Sequence, residues 1–307
     1  MQKITNLIIA KTSEIILGKE QQIKLALACI LARGHLLIED FPGMGKTTLA
    51  HTLAQVLGLQ FQRVQFTSDL LPADILGVSV YDRNAATFKF HPGPVFTNVL
   101  LADEINRATP KTQSALLEVM EEAQVTIDSQ THHLPAPFFV IATQNPSSQI
   151  GTFALPESQL DRFLMRITLN YPDAASERKL LQSNGGRVQL ANITAAVDGA
   201  GLQALQMAST QIHVSDALLD YLQNILQYTR TSPQFSAGLS PRAGLSLKQS
   251  AQAWAMIAGR DHVIPEDIQA ILPSVAGHRL VSNNHPDGGV DNNASAIAQI
   301  LNAVAIP

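Results

Sequence analysis

LLIEDFPGMGKTT, residues 36–48, passes from an apolar run through a turn bearing Pro42, Gly43 and Gly45 into Lys46-Thr47-Thr48 and the start of a helical pattern. A strand that turns over glycines into a helix N-terminus aims successive backbone N–H groups, and the positive end of the helix dipole, at one point. That geometry cradles phosphate. Lys46 adds a mobile positive charge, and Thr47 a hydroxyl suited to Mg²⁺. The stretch departs once from the spacing G-x-x-x-x-G-K-[ST]: Asp40 stands where the first glycine belongs, so Gly43 and Gly45 alone hold the loop. Asp adopts unusual backbone angles more readily than most residues, which keeps the turn feasible, although its carboxylate is an unexpected neighbour for phosphate. Residues Asp40, Phe41, Pro42, Gly43, Met44, Gly45, Lys46, Thr47 and Thr48 form the expected binding loop.

The bulk of the chain bounds what this loop serves. Its 307 residues, 46% of them apolar, suffice for two domains with cores of their own. A net charge of −4 without a long basic run disfavours a nucleic-acid partner. The longest apolar runs, such as residues 25–32, fall far short of the roughly 20 residues that span a bilayer. The N-terminus shows no signal-peptide core before a small-residue cleavage site, so a cytoplasmic protein without membrane insertion is expected. Cys29, the single cysteine, excludes an internal disulfide and most thiolate metal sites.

Between residues 16 and 171 short β-rich runs alternate with helical patterns, the signature of a parallel sheet covered by helices. Core strands are expected at 35–38, 61–65, 98–102, 138–143 and 165–169, each read as buried and nearly continuously apolar. Two hairpins interrupt the pattern, at 78–81 with 87–90 and at 125–127 with 131–134. Beyond residue 172 the pattern becomes helical, with a helix over 174–182, a polar hinge at 183–186, and helices opening at Ser215 and at Ser240-Pro241. A stripe of Ile297, Ile300, Leu301 and Val304 follows a polar loop at 282–293. This predicts two domains, 1–172 and 173–307, with hairpin inserts near 74–95 and 123–137 in the first.

VLLADEINR, residues 99–107, ends an apolar run in Asp103-Glu104, at the carboxyl end of a strand, where open α/β sheets bind ligands. Asp103 is suited to hold Mg²⁺, and Glu104 to take a proton from an attacking water. FFVIATQNP, residues 138–146, brings the amide of Asn145 to a second strand end, where a neutral group can orient that water. Arg162 closes a short helical pattern in LPESQLDRF. Arg242 sits in a first helical turn, where the dipole disfavours a cation, so either a bound anion or a nearby carboxylate must offset it. His132 and His133 are strand neighbours pointing to opposite faces and cannot chelate one metal. Glu118, Glu121 and Glu122 read as a solvated helix face, and Trp254 as helix-packing core.

Taken in order, EDFPGMGKTT, LLPADILGVSVY with FKFHPGPVF, ADEINRATPKTQSALLEVMEE, ATQNP with ALPESQLDRF, and SPRAGLSL resemble the AAA+ ATPases, and within them the MoxR family in the helix-2-insert clade. The match begins at Ile16-Leu17-Gly18-Lys19, and Gly18 is counted with the nucleotide-binding residues. The resemblance implies an α/β P-loop NTPase with a parallel αβα core followed by a small all-helical lid. It makes Lys46 and Thr47 Walker A, Asp103 and Glu104 Walker B, Asn145 sensor 1, Arg162 an arginine finger for the neighbouring subunit and Arg242 sensor 2. Acidic residues at the Asp40 position are familiar in this family. ATP and Mg²⁺, a homo-oligomeric ring (a hexamer), a protein client that is remodelled or receives a metal cofactor, and a separate von Willebrand factor A domain partner all follow from the resemblance. The residues themselves also fit a nucleotide-dependent binding switch with little turnover, a DNA-directed relative or a small-molecule kinase. An intact Glu104 and Asn145 argue against the first, the acidic balance against the second, and the adjacent Asp103-Glu104 pair against the third.

Overall fold

The computed structural model describes residues 1–84, 86–145, 151–182, 193–283 and 290–307. Numbered along the chain, β1 (Leu36–Glu39), β2 (Phe61–Gln65), β5 (Val99–Asp103), β8 (Phe139–Gln144) and β9 (Met165–Ile167) form one parallel sheet in the order β2-β5-β8-β1-β9. Alternation along each strand sends neighbours to opposite faces. Leu36, Ile38, Val99, Leu101, Phe139 and Ile141 enter one core, whereas Leu37, Leu100, Ala102, Val140 and Ala142 enter the other. Both faces are covered, which is why the three central strands read as continuous apolar runs. On the first face lie α1 (Gln2–Ile15), α2 (Glu20–Leu31) and α3 (Lys46–Val56), the last through Leu49, Ala50, Leu53 and Ala54. On the second lie α4 (Pro72–Leu76) and α5 (Pro110–Glu122), through Ile75, Leu116, Leu117 and Met120.

The outer strand corrects the expectation of a buried apolar β2. It pairs only with β5, and Gln62, Arg63 and Gln65 are exposed. An edge strand needs no apolar cover on its free side, and charge there discourages pairing with another chain. The hairpins form as β3 (Gly77–Asp82) with β4 (Thr87–Pro92), and β6 (Gln124–Ile127) with β7 (Gln130–His133). They touch each other, because His132 stacks on Phe90 with ring centroids 4.1 Å apart.

After α6 (Glu157–Leu160) and β9 the chain turns helical: α7 (Ala174–Gln182), then Gly199–Ser209, Asp216–Thr231, Pro241–Ile257, Pro265–Ala276 and Val290–Ala303. Ser215 and Ser240 cap their helices, accepting from the N–H groups of Leu218 at 3.4 Å and Ala243 at 3.1 Å. Gly259 ends the second of these in a left-handed conformation. Leu222, Ile225, Leu247, Ile271 and Ile300 continue the first core. The region is not wholly helical: Phe235–Ala237 and Val281–Ser282 pair as a two-stranded ladder, an arrangement too short to leave a periodic signal. Residues 183–186 lie outside the described residues, and the loop expected over 282–293 gives way to helix at Val290.

Candidate functional site

Between β1 and α3 the backbone turns through Gly43 and Gly45, left-handed at φ 87° and 88°. A Cβ at either position meets open space, so glycine is required there for its backbone angles alone. Lys46 opens α3 and folds back over the loop. Its Nζ donates to the Asp40 carbonyl, to Asn145 Oδ1 at 2.9 Å and to the Gln144 carbonyl at 3.4 Å. Burial lowers the Lys46 pKa, against the pull of the Asp40, Asp103 and Glu104 carboxylates.

The Asp40 carboxylate pulls on the Lys46 ammonium, but its hydrogen bonds go to backbone amides. It is buried and accepts from the backbone N–H groups of Phe41 at 2.8 Å, Leu169 at 2.8 Å and Asn170 at 2.7 Å. Its role is to tie the start of the loop to the chain leaving β9, where two of these three amides need an acceptor. Gly18 is outside the cavity: with φ at 69°, it packs where a Cβ would meet Ser176 Oγ at 2.5 Å and Asp173 Oδ2 at 2.7 Å. Phe41 is exposed, and Met44 packs against the first core.

Asp103 and Glu104 arrive from the end of β5. The Thr143 hydroxyl on β8 registers them, donating to Asp103 Oδ1 at 2.5 Å and accepting from the Glu104 N–H at 2.9 Å. Thr47 Oγ1 lies 3.4 Å from Asp103 Oδ2. Glu104 itself is left-handed, with φ at 55°, an uncommon conformation for a residue with a Cβ and one that clusters at active sites. Its Oε1 accepts from Asn145 Nδ2 at 3.0 Å and its Oε2 from Gln65 Nε2 at 2.9 Å, while Arg107 Nε forms an ion pair with Oε2 at 3.1 Å.

These groups line one cavity of about 320 Å³, which includes Pro42, Gly43, Gly45, Lys46, Thr47, Thr48, Asp103, Glu104 and Asn145. Arg63 and Gln65 line it too, and sequence reasoning missed both. The available signal was their spacing: two apart on a strand, they share a face, and the register sets Gln65 beside Asp103. The donor set suits a magnesium nucleotide. Loop amides and Lys46 match phosphate oxygens, and the Thr47 hydroxyl with the Asp103 carboxylate offers the hard oxygen ligands that Mg²⁺ takes.

Arg162 and Arg242 lie elsewhere, at a second cavity of about 210 Å³ that also includes Glu121, Asp161 and Arg279. Glu121 Oε2 is 3.2 Å from Arg162 Nη2, and its Oε1 accepts from Arg242 Nη2 at 2.6 Å. The hydrogen bond from Arg242 holds the Glu121 carboxyl below its usual range. Glu121 is therefore not part of a merely solvated face, and the cation in the first turn of Pro241–Ile257 is offset by a carboxylate. Among the described residues no group of three or more His, Cys, Asp and Glu side chains is placed to hold a metal ion.

The model of the ATPase family associated with various cellular activities (AAA) matches residues 35–165, and that of the AAA lid domain matches residues 227–300. Chaperone MoxR1 of Mycobacterium tuberculosis is 39% identical, covering 97% of this chain and 81% of that protein. Protein YeaC of Bacillus subtilis, itself uncharacterized, is 42% identical over 96% of this chain and 92% of its own length. A candidate ATPase from Cytophaga hutchinsonii, solved by crystallography, superposes with a TM-score of 0.89 at 36% identity, covering 100% of this chain and 96% of that one.

Proposed function

Because this chain belongs to the MoxR family of AAA+ ATPases, we propose that it binds ATP with Mg²⁺ in the 320 Å³ cavity and hydrolyses it at the interfaces of a homo-oligomeric ring, a hexamer in the cytoplasm. The observation that carries this reading is the division of the machinery. Lys46, Thr47, Asp103, Glu104 and Asn145 share one cavity, while Arg162 and Arg242 pair at another. A single subunit thus has a phosphate site without its arginines, and arginines without a phosphate to serve. Two subunits in contact supply one complete site.

In that site the loop amides and Lys46 hold the phosphates, and Thr47 with Asp103 holds the metal. The metal, when bound, neutralises charge that develops on the β- and γ-phosphates. Glu104 takes the proton of the attacking water, and Asn145, already 3.0 Å from Glu104 Oε1, orients that water. Arg162 and Arg242 of the adjacent subunit stabilise the leaving charge. The chain divides into a nucleotide domain at 1–172 and a lid at 173–307. The two hairpins, joined through Phe90 and His132 and carrying exposed Tyr81 and Phe88, deliver the cycle to a protein client. Similarity to a protein named as a chaperone supports remodelling of that client; a separate von Willebrand factor A domain protein as partner rests on the family resemblance alone.

The test compares turnover per subunit across a dilution series with nucleotide binding by variants. Turnover should fall on dilution, Glu104→Gln should bind ATP while losing about 10²-fold or more in hydrolysis, and Lys46→Ala should lose binding itself. Undiminished turnover by the dilute chain, or by Glu104→Gln, would overturn the reading.

A further inference from the structure

We propose that Arg63 is the resident counter-cation of the metal position: it neutralises Asp103 in the nucleotide-free subunit and yields that carboxylate when the magnesium nucleotide is bound. The inference rests on the reading of Asp103 as a metal-holding residue. Arg63 Nη2 and Nε both donate to Asp103 Oδ2, at 2.7 and 3.0 Å. That is the oxygen facing the Thr47 hydroxyl, since Oδ1 is taken by Thr143. An ion held between Thr47 and Asp103 therefore needs the atom that Arg63 occupies.

Charge and exposure explain why the arrangement can exchange. The Asp103 side chain is only 9% exposed, and a carboxylate so buried requires a positive partner. Lys46 directs its ammonium to the Asp40 carbonyl and Asn145. Arg63 supplies the charge from the open edge strand, and its side chain, 49% exposed, has solvent to swing into. Replacement of one cation by another leaves the Asp103 carboxylate with a positive partner in both states. The exchange also reaches the base: Arg63 Nη2 donates to Gln65 Oε1 at 3.1 Å, and Gln65 holds Glu104 Oε2, so departure of Arg63 removes one restraint on the Gln65 amide.

The sign of the effect follows. Without Arg63, a bare Asp103 repels phosphate when metal is absent, yet offers the metal an uncontested oxygen when it is present. The test titrates a fluorescent ATP analogue into the full chain carrying Glu104→Gln, once in EDTA and once in Mg²⁺, with and without Arg63→Gln. The ratio of the two dissociation constants should widen about tenfold on Arg63→Gln, the scale of a charged hydrogen-bonded pair. In an Asp103→Asn background, Arg63→Gln should leave the ratio unchanged. An unchanged ratio in the first comparison, or an equal effect in the second, overturns the proposal. A measurement on the unaltered side chain guards against a variant that fails to fold: solvent exchange of the Arg63 Nε–H should quicken when analogue and Mg²⁺ are added, and constant exchange refutes the idea. Failure of the parent chain to bind analogue at all would instead overturn the proposed function, and this inference with it.

Discussion

The guanidinium groups of Arg162 and Arg242, 80 residues apart in the chain (242 − 162), meet on the two oxygens of Glu121 and away from the phosphate cavity. The two arginines stand side by side on one carboxylate, and the proposed site takes both from the same subunit. This predicts the outcome of mixing inactive variants. Arg162→Ala and Arg242→Ala should each lower turnover by about 10³-fold, the usual scale for an arginine finger. Mixing either with Lys46→Ala should restore activity, because intact phosphate loops then meet intact arginines. Mixing Arg162→Ala with Arg242→Ala should restore nothing, since every donating subunit lacks one of the pair. Recovery in that last mixture, read by phosphate release, would place Arg242 in the site of its own subunit.

Asp40 yields a prediction opposite to what the loop consensus suggests. Asp40→Gly restores the expected first glycine, but strips the acceptor from three backbone amides, two of them beyond β9. Loss of a buried charged acceptor leaves those groups unpaired, so stability should drop by about 3 kcal/mol, with Asp40→Asn intermediate. Chemical denaturation measures the drop. Nucleotide affinity should not improve.

The sheet and the gathering of Gly43, Gly45, Lys46 and Thr47 at one cavity were legible because their physics is local. Continuous apolar runs marked strands covered on both faces, and Gly43, Gly45 and Lys46 stand in one turn whose backbone angles only that pattern supports. What escaped is non-local. Arg63 enters the site through strand register, Asp40 through hydrogen bonds to residues 169 and 170, and Glu121 through a partner 121 residues away. No window of sequence contains both ends of such contacts. The Phe235–Ala237 ladder escaped for another reason: three residues are too few to show a period.

Histidine 35 should make stability depend on pH in one direction. His35 is largely shielded between strand and helix: its Nδ1 accepts from the Val140 N–H at 2.9 Å, so Nε2 carries the proton and donates to the Met120 carbonyl at 2.9 Å. Burial pushes its pKa down to about 4 from 6.5. The folded chain thus refuses a proton that the unfolded chain accepts, so stability is complete above pH 6.5 and declines as pH falls toward 4. The decline due to this ring should be about 3 kcal/mol, and His278, lowered by burial in the same way, adds to it. Urea unfolding across that range should show the slope, and His35→Gln should flatten it. A slope that His35→Gln leaves intact would remove this ring from the account.

Arg279 sets the position of Arg162 from the helical side. Its side chain, 5% exposed, donates to the Asp161 carboxylate at 2.6 Å and to the carbonyls of Phe163 at 2.7 Å, Asp161 at 3.0 Å and Leu164 at 3.1 Å. A guanidinium is needed for this, because a lysine has one nitrogen where the contact uses three. Arg279→Met should cost about 3–5 kcal/mol, since it leaves Asp161 without its cation and buried carbonyls without donors. Arg279→Lys keeps the charge and separates fold from function: the chain should remain folded and bind nucleotide as before. The segment carrying Arg162 loses its fixed geometry, so turnover in the assembled state should fall while the dissociation constant for ATP holds. Equal loss of binding and turnover would mean that Arg279 supports the fold alone.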